Sequence, residues 1–266
     1  MYVELLVGNE SGTKVYQPVV QEGIEWSTER KNTPGKLVFK VLYDNILDFS
    51  EGSPVRMKVD GDNVFFGFVF KQQRTKDKII TVTAYDQLRY LKNKDTKVYE
   101  GKTANQFVKM IADDYALNLG TLDDTGYVIE SRVEENTSLF EMIANALDLT
   151  LTNTGEMYVL YDDFGKLTLK SASPVSIEVK TTVTFEEGHN WSNTKAAIAE
   201  AVDAYFLELR KNWSETSQTI VRVSQIENRI LGVDGVVDVT GTKLNGTASN
   251  MTLTEFCIPK LGGVSA

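Results

Sequence analysis

The sequence predicts an α+β protein made of an N-terminal antiparallel β-barrel-like domain, a small α+β domain and a C-terminal α+β sandwich. Three observations predict it. Val55, Met57 and Val59 alternate with Arg56, Lys58 and Asp60, and β-rich runs follow at 65–70 and 79–88, which reads as an antiparallel meander. Thr103 with Gln106, and Ser138 with Glu141, form capping-box pairs ahead of apolar stripes at helical spacing. Residues 175–185 alternate over a long strand, and another helical stripe comes after them. The corresponding domain bounds are 1–97, 98–170 and 171–266.

In order along the chain, Val3, Leu5 and Val7 alternate. Runs at 19–20 and 24–27 follow the break at Pro18, and 37–42 begins after the turn at Thr33-Pro34-Gly35. Several short strands at such spacing predict a small barrel or split barrel. Pro54 opens the Val55 strand, where a missing N–H costs least, and a turn at Gly61-Asp62-Asn63 leads into the next strand.

From Thr103 the period changes. A helix carries Phe107, Val108, Ile111, Ala112 and Tyr115 and stops at Asn118-Leu119-Gly120; a second carries Phe140, Ile143, Ala144 and Leu147. Strands are expected at 149–152, 157–161 and 166–169, separated by turns at Asn153-Thr154-Gly155 and Asp163-Phe164-Gly165. In the last domain Ser192 is expected to cap a helix reaching about Trp213, with Ile198, Ala201, Val202, Tyr205, Phe206 and Leu209 on its buried stripe. A shorter helix holds Val223, Ile226, Ile230 and Leu231. Strands at 236–239 and 251–254 close the chain, and Pro259 and the turn Gly262-Gly263 end it.

An apolar share of 42% and an aromatic share of 10% are enough for real cores. The formal charge of −9 has no basic cluster to offset it, which argues against nucleic acid as a partner. Cys257 is the single cysteine, so no internal disulfide forms and synthesis in a reducing cytoplasm is expected. No apolar run is long enough to insert in a membrane, and the N-terminus lacks the regions of a signal peptide.

No catalytic, cofactor-binding or metal-binding residue is assigned. His189, the only histidine, reads as a surface-loop residue between a strand and a capped helix. The pairs Asp113-Asp114, Asp123-Asp124, Glu134-Glu135 and Asp162-Asp163 are adjacent, whereas glycosidase carboxyls face each other across about 5–9 Å. Turn and helix-surface roles account for them. Asp60-Gly61-Asp62-Asn63 is too short for a calcium loop. Cys257, between Phe256 and Ile258, reads as a buried small hydrophobe. The phrases Gly232-Val233-Asp234-Gly235 and Gly262-Gly263 are turns without phosphate-loop spacing. Trp26, Phe39, Phe66, Phe68 and Phe70 could form a binding platform; on period-2 strands they are expected in the core, Trp26 being the exception.

Two resemblances appear. VFFGFVF at 64–70, AYDQLRYL at 84–91, TANQFVKMIADDYALNLG at 103–120, ENTSLFEMIANALDLT at 135–150 and GEMYVLYDDFGKLTLK at 155–170 resemble the hub protein of contractile phage tails and defective prophage particles. VTFEEGHNW at 183–191, IVRVSQIENRILGVDGVVDV at 220–239, LNGTASNMTL at 244–253 and IPKLG at 258–262 resemble the C-terminal domain of baseplate J-like wedge proteins. Together they imply a two-part chain joined between Leu169 and Pro174. The first resemblance implies a tube domain and a ring-forming homo-oligomer that adapts tail tube to spike. Both imply a non-enzymatic component of a virion or tail-like particle, with hub, spike, tail tube and wedge proteins as partners. A cell-wall or carbohydrate-binding module is the alternative, and it would show exposed aromatics on one sheet face.

Overall fold

The computed structural model describes residues 1–30, 32–76, 78–216, 218–254 and 256–266. The chain separates into two compact units, Met1–Thr154 with Tyr158–Lys170, and Gly155–Met157 with Ser171–Ala266. The finer three-domain division remains a proposal; three separate apolar cores are consistent with it.

The first unit begins with β1 (Val3–Gly8), β2 (Val15–Tyr16), β3 (Glu25–Ser27), β4 (Lys36–Leu42), β5 (Pro54–Val59), β6 (Asp62–Arg74) and β7 (Ile79–Tyr85). They form one seven-stranded sheet in the order β2-β1-β5-β6-β7-β4-β3, antiparallel throughout. Leu5, Val7, Phe39, Val41, Val55, Met57, Phe65, Val69, Ile80 and Val82 bury one face, as period-2 alternation requires. The expected barrel is not closed. The edge strands β2 and β3 are only two and three residues long and are not paired with each other, so the sheet remains open.

The β5–β6 turn is one residue earlier than expected. Val59 pairs with Asp62, leaving Asp60 (φ 51) and Gly61 (φ 94) as a two-residue turn with both φ positive, which suits the twist of an antiparallel hairpin. Gly67 is required for a different reason. A Cβ there would strike the carbonyl oxygen of Tyr85 and the Phe65 ring.

After a 3₁₀ helix at Gln87–Lys92 come β8 (Lys94–Thr103), α1 (Ala104–Asp114), β9 (Leu119–Leu122), β10 (Val128–Ser138), α2 (Leu139–Thr154), β11 (Tyr158–Asp162) and β12 (Leu167–Ser171). Both capping boxes form. Gln106 Oε1 accepts from Thr103 N at 3.1 Å, and Ser138 Oγ accepts from Glu141 N at 3.2 Å. Phe107, Ile111, Leu139, Met142 and Ile143 fill the core under a β10-β8 ribbon and a β11-β12-β9 sheet. Two expectations fail here. Residues 149–152 continue α2 instead of forming a strand, because Thr150 and Leu151 extend the buried helical stripe of Ile143 and Ala146; the Thr150 and Thr154 hydroxyls bond back to carbonyls one turn earlier. The polar strands β8 and β10 were not expected, since their alternation carries little apolar signal.

The second unit is built on β13 (Ser173–Phe185), followed by α3 (Trp191–Lys211), β14 (Ile220–Val221), α4 (Val223–Leu231), β15 (Val236–Leu244), β16 (Met251–Thr252) and β17 (Cys257–Ser265). β13 is central, antiparallel to β15 and parallel to β17. Ile198, Val202, Phe206, Ile226 and Ile230 pack the helices onto Ile177, Val179 and Leu244. The helix is capped by Asn190, not Ser192: Asn190 Oδ1 accepts from Ser192 N at 2.9 Å and from Asn193 N at 3.3 Å. Pro259 and Gly262-Gly263 do not end the chain as turns; they lie inside β17. β17 is an edge strand, where proline is tolerated, and the register slips between Ile177 and Glu178, opposite Gly262.

Replacing Gly67 by alanine should destabilise the protein by about 1–3 kcal/mol, since backbone must move to admit the methyl group. Urea unfolding followed by circular dichroism checks it; an unchanged midpoint would show that the sheet yields freely at this position.

Candidate functional site

His189 lies between β13 and α3, with its ring over the bare Cα of Gly235 and Nε2 4.0 Å from the exposed Asp234 carboxylate. Asp113 pairs with Lys109 and Asp114 with Lys97, both on exposed surface. Asp124 closes a turn by accepting from Gly126 N at 3.1 Å. Glu134 and Asp162 depart from the surface role expected of these acids. Glu134 is buried and accepts from Arg132 and Asn145, and Asp162 is half-buried. Cys257 is half-buried too, accepting from Thr254 Oγ1 at 3.1 Å. Among the described residues, no group of three His, Cys, Asp or Glu side chains is placed to hold a metal.

The aromatic expectation needs the larger correction. Phe39 is in the core and Trp26 is exposed, but Phe66, Phe68 and Phe70 are on the outer face of the sheet. Strand β6 alternates Phe65, Gly67 and Val69 inward, so its even-numbered aromatics point the other way. There Phe66 meets Phe68 edge-on at 5.7 Å and Phe164 at 5.8 Å. Its ring also covers the bare Cα of Gly165, whose φ of 83 gives the β11–β12 turn its shape. Farther along, Phe70 meets Tyr85 at 5.4 Å and carries the Arg89 guanidinium 4.9 Å above its ring. An open cleft of about 410 Å³ follows, lined by Phe68, Phe70, Tyr85, Arg89, Tyr90 and Asn93.

Two carboxylates accompany this row. Asp86 starts the 3₁₀ helix: Oδ1 accepts from Leu88 N at 3.0 Å and Oδ2 from Gly35 N at 2.7 Å. Asp162, at the end of β11, accepts from Gly165 N at 2.7 Å, and the Gln87 side chain beside it also favours its charged form. Burial and then the negative charge of Asp162 push the Asp86 carboxyl up to about 7; burial pushes Asp162 up to about 6. Gln87 exchanges two 3.0 Å hydrogen bonds with the Asn118 backbone beside them. Both oxygens of Asp86 are committed to backbone donors, so it acts as a structural tie. The sequence reading missed the pair. Its available signal was an acid directly after each apolar strand, at Tyr85-Asp86 and Tyr161-Asp162.

The YQBQ-like family model matches residues 24–200, and the model of the Baseplate J-like protein C-terminal domain matches 177–266. The phage-like element PBSX protein XkdQ of Bacillus subtilis (strain 168) is 36% identical over 184 residues, 68% of this chain and 56% of that protein. The PBSX protein XkdT of the same organism is 31% identical over 98 residues, 37% of this chain and 27% of that protein. The chain spans about half the length of the curated relatives first matched. The 43 kDa tail protein of prophage MuSo2 from Shewanella oneidensis shares the fold, with a TM-score of 0.52 at 15% identity over 73% of this chain and 64% of that one.

Asp86 and Asp162 both fall within the YQBQ-like span. A carboxyl whose folded-state pKa lies above its ordinary 3.8 adds stability that is complete below that value and lost as pH rises through the folded one. Here the loss runs from about pH 4 to about pH 7. Asp162→Asn keeps the acceptor for Gly165 N and removes the charge facing Asp86. The variant should match the wild type near pH 4 and exceed it by about 1–2 kcal/mol near pH 8 in urea unfolding. A difference that stays flat across that range would sink the assignment.

Proposed function

The chain belongs to the YQBQ-like family and is a structural protein of a phage tail or baseplate, and from this we propose that it is a hub component that joins tail tube, spike and wedges. The observation that carries the reading is the presence of two matches on one chain, YQBQ-like in the first 200 residues and baseplate J-like after residue 176. A chain of that kind links two classes of tail part without an intermediary. Its work is assembly and force transmission, not chemistry. We place it in a virion or phage-tail-like particle after synthesis in the bacterial cytoplasm, acting as a homo-oligomer among other baseplate proteins. Among the described residues no helix is long and apolar enough to cross a membrane.

A second reading, polysaccharide binding, is favoured by the cleft in which Phe70 and Tyr90 are 52% and 47% exposed. Retention of the purified chain on cell-wall polysaccharide, abolished by Phe70→Ala, is its test.

Immunogold labelling of intact particles is expected to put this chain at the tail tip, and incubation with peptidoglycan to release no soluble fragments. Label spread along the tube would refute the hub assignment; released fragments would refute the non-enzymatic one.

A further inference from the structure

The longest free strand edges of the first unit belong to β8 and β10. These strands pair only with each other and run for 10 and 11 residues. Helices cover one face of the ribbon. Tyr99 stacks on Phe107 of α1 with ring centres 4.0 Å apart, and Glu134 accepts from Asn145 of α2 at 3.1 Å. On the other face Val98 and Val133 stand directly opposite each other, 70% and 67% exposed. A two-stranded ribbon also leaves a row of backbone donors and acceptors without ladder partners along each outer edge. The seven-stranded sheet limits that hazard by keeping β2 and β3 to two and three residues. The ribbon keeps its full length, with one register shift in β10 between Glu134 and Thr137.

Charge says what fits there. β8 carries Lys94, Lys97 and Lys102 against Asp95 and Glu100; β10 carries Glu130, Glu134 and Glu135 against Arg132. Lys97 is held by Asp95 and Asp114, and Glu134 by Arg132. Among the described residues Lys94, Lys102, Glu130 and Glu135 enter no close ion pair. Like charges set against each other oppose pairing of β8 with β8 or of β10 with β10, whereas β8 against β10 brings opposite signs together.

We propose that the β8 edge of one chain pairs with the β10 edge of a second copy, extending the ribbon into a continuous intermolecular sheet. The contact is head-to-tail, since it uses different surfaces on the two chains, and repetition gives a ring or an open file. This rests on the reading of the protein as a homo-oligomeric tail component.

Sedimentation equilibrium of the full chain tests it with three variants: Lys94→Glu with Lys102→Glu, Glu130→Lys with Glu135→Lys, and all four together. Each reversed pair should weaken self-association by about tenfold or more, and the fourfold variant should recover to within about threefold of wild type. Because the same charges also oppose each other across the β8–β10 pair of a single chain, circular dichroism and urea unfolding of each variant must show an intact fold; weakened association with an unchanged unfolding midpoint supports the proposed edges, and association lost only together with the fold overturns them. Undiminished association of both reversed variants would overturn the proposed edges, as would a wild type that stays monomeric at about 100 μM. In neither case is the hub reading decided, because that reading stands or falls on where the label sits in intact particles.

Discussion

Strand β6 is apolar on both faces, and the first unit is organised by that fact. Phe65 and Val69 enter the sheet core, while Phe66, Phe68 and Phe70 form a second apolar surface behind it. A sheet with one wet face would alternate apolar with polar residues here. The Phe164-Gly165 turn covers the Phe66 end of this back and Arg89 stacks on Phe70, which stays half exposed beside the cleft. Gly67 lets the strand approach Tyr85, and Gly165 lets the turn approach Phe66. Two glycines thus permit contacts that any side chain would block.

The same junction explains the two raised carboxyls. Asp86 follows β7 and Asp162 ends β11, apolar strands of two different sheets, and the two acids hold backbone N–H groups of Gly35, Leu88 and Gly165. Those donors favour the ionised form, yet burial outweighs them at both sites, and at Asp86 the charge of Asp162 adds to it. Local hydrogen bonding and loss of solvent therefore pull in opposite directions at both carboxyls.

Edges are handled differently in the two units. In the second, β17 carries Pro259, two adjacent glycines and a register slip, each of which discourages further pairing. In the first, the outer strands of the large sheet are merely short. The β8 and β10 edges are longer, with a register shift in β10 between Glu134 and Thr137, and they differ in charge.

Much of the fold was legible because alternation and capping are local. Val3 to Val7, the 175–185 strand and the Thr103 and Ser138 capping boxes appear where their spacing puts them. The resemblance to tail hub and baseplate J-like proteins rested on contiguous motifs and was equally visible. Local pattern failed where two structures fit one string: Leu149-Thr150-Leu151-Thr152 alternates like a strand, yet Thr150 and Leu151 fall on the buried helical stripe that runs from Ile143 and Ala146. It failed again at β6, where an unbroken apolar run does not say which aromatics face the core. The Asp86 and Asp162 pair, 76 positions apart in sequence, was invisible for the same reason. Sequence determined the helices that open on capping boxes, the strands with apolar alternation and the family, since those follow from near neighbours along the chain. Only tertiary structure decided which face of a strand is buried and which charges meet, because both depend on residues that become neighbours only after the chain has folded.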